Sequence, residues 1–362
     1  MTNWHSCLGR GTLRALAKQR SNGGTAPYVK HRLNFVGSSM TNRFLHIAAP
    51  RVVYQNEQTM DKLLAHGAAE SLKMIMEGTR HGYTNQRYWM CTLACVGDWP
   101  WLHKIGKLTR SFNNVEKGEM QRSRGICHLC AAGQPQAEWE ALHTRHPDWL
   151  PTMYQDSPFS ATNRPSFLKL HQLPGCEAAM FQYDVFHTWH LGIGKYFSAS
   201  CLALFSERFP GGNIEDRFLA LQSDFLHFCK TAHKTPGITR LSKDTIQWPS
   251  KNQFPCGNWF KASVTTVLCE YLEDRLCFSQ QALDPLLLIA GEAVASINDF
   301  FRQLYEEDVF IAPDRARTIS ECGLRFLRRY SVLARKSYDN GRPLFLLVPK
   351  CHVFHHIALS MW

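Results

Sequence analysis

The sequence predicts an α/β protein that is predominantly helical, with a partial strand–helix core that carries a large all-helical insertion. Three observations lead there. Two apolar, strand-like segments each end in one Asp and pass at once into helix-forming sequence: Val96-Gly97-Asp98-Trp99-Pro100-Trp101 and Tyr183-Asp184-Val185-Phe186-His187. A Cys-rich stretch around Cys127-His128-Leu129-Cys130 lies between them. From about residue 206 to 340 the apolar spacing and cap residues are helical nearly throughout. This order suits one core with two insertions better than two separate domains.

Composition sets the bounds. The chain has 362 residues, 44% of them hydrophobic, ample for a buried core. Its net charge is +11, which favours an acidic partner, nucleic acid first. A solvated basic surface would have the same charge. The 13 cysteines are an odd number, and most stand singly in apolar helical stretches, such as Cys201, Cys229, Cys269 and Cys322. They read as small buried hydrophobes of a reducing compartment. The richest apolar run, 286–290, is soon broken by Glu292, so a soluble protein with no membrane partner is expected.

The elements follow in order. Residues 1–56 contain no acidic residue and eight Lys or Arg, from Arg10 to Arg51. An organelle transit segment, a DNA-contacting tail and a segment that does not fold all match; the last is preferred, because no apolar periodicity is sustained. Residues 57–78 read as a helix whose apolar face is Met60, Leu63, Leu64, Ala68, Leu72, Ile75 and Met76, ended by Gly78 and Gly82. Residues 87–96 are aromatic and apolar without a turn residue, which predicts a buried strand closed by Asp98. Pro100 suits the first turn of a helix over 101–108. A second strand is predicted at 179–185 and a helix at about 191–205. Asn213 is placed to cap a helix over 214–230, Asp284-Pro285 to open one running to 305, and Pro313-Asp314 another running to 336. A short strand at 343–348 is expected to return to the core. The implied division is 1–56, a first core part 57–125, a Cys-rich insertion 126–175, a second core part 176–205, the helical insertion 206–340, and a return to the core at 341–362.

Two constellations carry chemistry. An Asp at the end of a buried strand presents its carboxylate to a divalent ion. Two such acids, Asp98 and Asp184, suggest a nucleic-acid-processing core of the RNase H kind. The plainer reading of either is a helix N-cap. Cys127-x-x-Cys130 has zinc-knuckle spacing, and His143 and His146 follow, which makes C-x2-C-x12-H-x2-H. The last spacing is one residue short of the usual range, and a reduced turn beside surface histidines is the alternative. On the last long helix Arg325, Arg328, Arg329, Arg335 and Lys336 form a basic stripe able to track a phosphate backbone, or simply a solvated face. His187, His190, His352, His355 and His356 are read as core or surface histidines rather than a second metal site.

Taken together these segments resemble DDE-type transposases of the CACTA (En/Spm-like) group and their relatives. The resemblance spans residues 57–362 and rests on four short motifs in order. They are Asp98-Trp99-Pro100, Cys127-His128-Leu129-Cys130, Asp184-Val185-Phe186-His187 with Leu191-Gly192-Ile193-Gly194-Lys195, and Pro349-Lys350-Cys351-His352 with His355-His356. It implies an RNase H-like core with an all-helical insertion, DNA as partner, a nuclear location and magnesium as catalytic ion. It also implies Asp98 as second acid of the triad, with Asp184 and His187 as the D-x-x-H motif behind it. A second alignment makes Asp98 the first acid and Asp184 the second. In both, the triad is incomplete, and two divalent ions cannot be held by one or two carboxylates. The expectation is a truncated or degenerate transposase-derived protein that keeps DNA affinity without catalysis, with structural zinc. A non-catalytic helical interaction module with a zinc knuckle is the first alternative; a metal-dependent hydrolase using Asp98, Asp184 and the histidines is another. The cytoplasm is the alternative location. Assembly into a homo-oligomer is left open.

Overall fold

The computed structural model describes residue 52 and residues 55–80, 82–83, 85–89, 92–116, 125–170, 174–277, 284–307 and 311–362. The reading of 1–56 as unfolded therefore lies almost wholly outside the described residues. The described chain is predominantly helical, with two small two-stranded sheets. It divides into two compact units.

The first unit holds the described residues up to Ser111, His128–Cys130 and Thr152–Gln182. Helix α1, Glu57–Met76, starts at Asn56, whose side chain accepts from the Thr59 amide at 3.2 Å. It ends before Gly78, which has φ +70° and so adopts the left-handed form that glycine tolerates. The expected strand over 87–96 is two short strands instead. Strand β1, Thr79–Arg80, pairs antiparallel with β2, Arg87–Tyr88, and both are exposed. Strand β3, Cys95–Gly97, pairs with β4, Phe181–Tyr183. Apolar content makes a strand only where a neighbour takes up its amides, and among the described residues the pieces at 87–88 and 95–97 pair with different strands. Helix α2, Trp99–Ile105, carries Pro100 in its first turn as the sequence suggests. Trp99 is buried; its indole N–H donates to Ser111 Oγ at 2.9 Å.

The second unit holds Phe112–Cys127, Ala131–Pro151 and Tyr183–Trp362. Helix α3, Val185–Thr188, runs through a π turn, Trp189–Ile193, into α4, Gly194–Phe205. Helices α5, Ile214–Thr231, and α6, Ala262–Cys277, follow, then α7, Pro285–Glu306, α8, Pro313–Asp339, and α9, Lys350–Ser360. The predicted caps hold: Asn213 accepts from the Asp216 amide and Asp284 from the Leu286 amide. The core is aromatic. Trp189, Phe197, Phe326 and Phe354 meet edge-on or tilted, with centroids 5.0–6.2 Å apart. Helix α9 is seated on α8 by close approach. A side chain at Gly323 would meet Phe300 at 3.1 Å and Ala358 at 3.2 Å, and Ser320 Oγ donates to the Ala358 carbonyl at 2.6 Å.

The strand expected at 343–348 is absent. Phe345 has φ +56°, its amide donates to Ser200 Oγ at 2.9 Å, and the Leu346 carbonyl accepts from the Tyr330 hydroxyl at 2.7 Å. Side chains of α4 and α8 thus take up backbone groups that a sheet would need.

A candidate metal centre

Cys127 and Cys130 lie on one turn, through which the division between the units passes. The Ile126 amide donates to the Ala132 carbonyl at 2.9 Å and the Gly133 amide to the Ala137 carbonyl at 2.8 Å. Gly133 has φ +84°, and a side chain there would strike Ile126 at 2.9 Å, so the turn requires glycine. Around Cys130, the buried Arg110 donates to its carbonyl at 3.0 Å and reaches Asp156 at 3.3 Å. His128 Nε2 donates to the Phe181 carbonyl at 2.7 Å. The Leu129 carbonyl accepts from the Tyr154 amide at 2.9 Å, so both residues between the cysteines are anchored rather than displayed.

The other ligands come from α9. His352 and His356 are four apart and so share one helix face. Cys127, Cys130, His352 and His356 are all buried, and their ligand atoms lie within 4.8 Å of one another. Cys127 Sγ stands 3.4 Å from His356 Nε2. Donors on a tetrahedral zinc ion, with Zn–S near 2.3 Å and Zn–N near 2.0–2.1 Å, are separated by roughly 3.3–3.8 Å. The Cys127–His356 distance falls in that range, and two soft thiolates and two imidazoles gathered within 4.8 Å can hold a metal ion such as zinc. They do not suit magnesium, which takes oxygen ligands.

The surroundings favour the ligating forms. The Tyr183 hydroxyl donates to Cys127 Sγ at 3.4 Å, which supports a thiolate. Burial lowers the proton affinity of His352, opposed by a hydrogen bond with Cys127. Burial pushes His355 down to about 3, helped by His352 and His356. The Trp149 ring closes the back of the group, with centroids 4.6, 5.3 and 4.3 Å from His352, His355 and His356.

This corrects two sequence readings. His143 and His146 are exposed and are not members of the group; His352 and His356 take their place. The segment carrying His143 and His146 is a series of turns, so nothing holds both rings on one face. The histidines of α9, read as core or surface residues, are buried, and two of them, His352 and His356, lie beside the cysteine sulfurs. The overlooked signal was the His-x3-His spacing on a helix, which fits the usual zinc range where His143-x2-His146 does not.

The acids sit elsewhere. Asp98 follows β3 and is the N-cap of α2, accepting from the Trp101 amide at 2.9 Å. Asp184 follows β4 and caps α3, accepting from the Phe186 amide at 2.8 Å; its other oxygen pairs with His187 Nδ1. Among the described residues no other group of three His, Cys, Asp or Glu converges closely enough for a metal, so none forms on Asp98, Asp184 or His187. Asp98→Ala is expected to cost about 1 kcal/mol, the worth of a cap, and to leave metal content unchanged. A denaturation midpoint and a metal assay check this; loss of bound metal would count against it.

The D-x-x-H motif does meet the Pro-Lys-x-His segment. Lys350 Nζ donates to the His187 carbonyl at 2.9 Å. A side chain at Gly192 would strike Lys350 at 2.6 Å, which ties the π turn to α9. Next to it, buried His190 is held down to about 4 by burial, with Asp184 opposing; its Nε2 lies 3.1 Å from the Tyr305 hydroxyl. Between about pH 6.5 and 4 the unfolded chain binds a proton that folded His190 refuses, so stability falls on acidification by up to about 3 kcal/mol. Urea midpoints across that range should drop, and His190→Gln should flatten the slope. An unchanged slope in that variant would assign the loss to other groups.

The basic stripe is partly neutralised. Arg329 pairs with Glu292 at 2.7 Å and Arg335 with Asp339 at 3.1 Å, while Arg325, Arg328 and Lys336 are exposed. Among the described residues no helix is long and apolar enough to cross a membrane. No protein-family model, curated protein or solved structure matches this chain.

Proposed function

We propose that the chain is a transposase-derived DNA-binding protein, related to the CACTA group, that lacks strand-transfer activity and works in the nucleus. One observation supports this above the others: the C-x-x-C turn and the Pro-Lys-x-His segment, two of the motifs behind the resemblance, contribute to one buried sulfur–nitrogen group. The D-x-x-H motif adjoins it through Lys350. The pairing of β3 with β4 is the first thing an RNase H-like core would need.

Zinc at this group has a structural role. Four protein donors leave no open position for water or substrate, and burial excludes solvent. The acids argue against catalysis, since Asp98 and Asp184 are engaged as caps and a two-metal displacement needs further carboxylates. Exposed Tyr83, Trp89, Val96 and Trp101 favour the second reading, a protein-interaction module on the same zinc-held scaffold.

The zinc-loaded chain is expected to bind DNA of unrelated sequences alike, with affinity falling by orders of magnitude from low to physiological salt if about six or more phosphate contacts form. Strand cleavage and strand transfer should be absent with Mg²⁺ or Mn²⁺. Metal-dependent cleavage that Asp98→Ala abolishes would overturn the inactive reading. Salt-independent binding, or none, would favour the interaction module.

A further inference from the structure

Helix α8 and the Cys-rich segment together build a cationic surface that the linear stripe does not describe. Arg325 and Arg328, one turn apart on α8, are both exposed. Arg145 joins them from outside the helix. Its Nη2 lies 3.6 Å from Glu321, one turn before Arg325, and its guanidinium stacks on the half-exposed Trp362 ring at 4.0 Å. Arg317, one turn earlier on α8, reaches the same ring at 5.8 Å. The charges of Arg145, Arg325 and Arg329 act on Arg328, whose proton affinity is lowered by burial first and by these neighbours next, with Glu321 opposing.

Glu321 and Glu292 are the acids paired to these cations, so the surface keeps a net positive charge. Crowded guanidinium groups repel one another, and an anion between them would offset that cost. We propose that Arg145, Arg325 and Arg328 grip the phosphodiester backbone of nucleic acid. This deepens the DNA-binding reading and rests on it. The planar guanidinium fork matches phosphate oxygens in two-point contact, and an aromatic ring beside it offers a face to a base. Arg335 stands ten residues beyond Arg325 on α8, pairs locally with Asp339, and is not part of this group.

The test uses the full zinc-loaded chain and a short fluorescent DNA duplex over a salt series. Arg325→Gln/Arg328→Gln and the triple variant adding Arg145→Gln are compared with Arg335→Gln. The triple variant should bind at least about 10-fold more weakly at low salt, and its slope of log affinity against log salt should be shallower by about 2–3. Arg335→Gln should bind as the parent does. The double variant changes exposed groups alone and keeps the test decisive if Arg145→Gln disturbs folding. A parent that binds with steep salt dependence while both variants match it would overturn this surface and leave the DNA-binding reading intact. A parent that does not bind at low salt would overturn the reading itself. Displacement of the duplex by polyglutamate as effectively as by unlabelled DNA would overturn nucleic acid in favour of an acidic protein partner.

Discussion

About one zinc ion per chain is expected in the purified protein, and it should be lost in Cys127→Ser, Cys130→Ser, His352→Ala and His356→Ala. His143→Ala and His146→Ala should keep it. Four buried donors, within 4.8 Å of one another, are costly to desolvate and are compensated best by one ion. Cobalt substitution should produce a tetrahedral spectrum with sulfur-to-metal charge transfer. Because the ligands tie the 126–133 turn to α9, metal binding adds to folding free energy. At a free zinc level about 1,000 times the dissociation constant the gain is about 4 kcal/mol, and a tight structural site gives more. A chelator should therefore lower the melting temperature sharply. Zinc that survives in His352→Ala and vanishes in His143→Ala would mean that the ligand set is wrong.

Trp149→Ala should have the next largest effect. The indole is fully buried and leans on His352, His355 and His356. Its removal leaves a cavity worth about 3–5 kcal/mol of stability. It also frees the two ligand imidazoles to turn, and loss of such support typically weakens metal binding about 10–100-fold. Urea unfolding at saturating zinc measures the first effect and competition with a chelating dye the second. Trp149→Phe, which keeps an aromatic face, should recover most of both. A variant less than about 1 kcal/mol weaker with parental zinc affinity would show that the ring is only filler.

The parts of this protein that the sequence determined by itself are those set by neighbouring residues. Asn213, Asp284 and Pro100 mark helix starts because a cap or a fixed φ acts within one turn. The C-x-x-C turn was legible for the same reason, and so was the capping role of Asp98 and Asp184. Strands were less legible, since a strand exists only with a partner. Residues 87–96 broke into two pieces belonging to different sheets, and 343–348 gave its backbone groups to Ser200 and Tyr330. The metal group was decided by tertiary structure alone. Cys127 and His356 are 229 residues apart, and although His352-x3-His356 has the better zinc spacing, no local rule says that this pair rather than His143 and His146 meets the thiols. What distinguishes them is that packing of α9 against α8 buries His352 and His356 beside the thiols, whereas His143 and His146 remain in water, where an imidazole needs no metal to satisfy it.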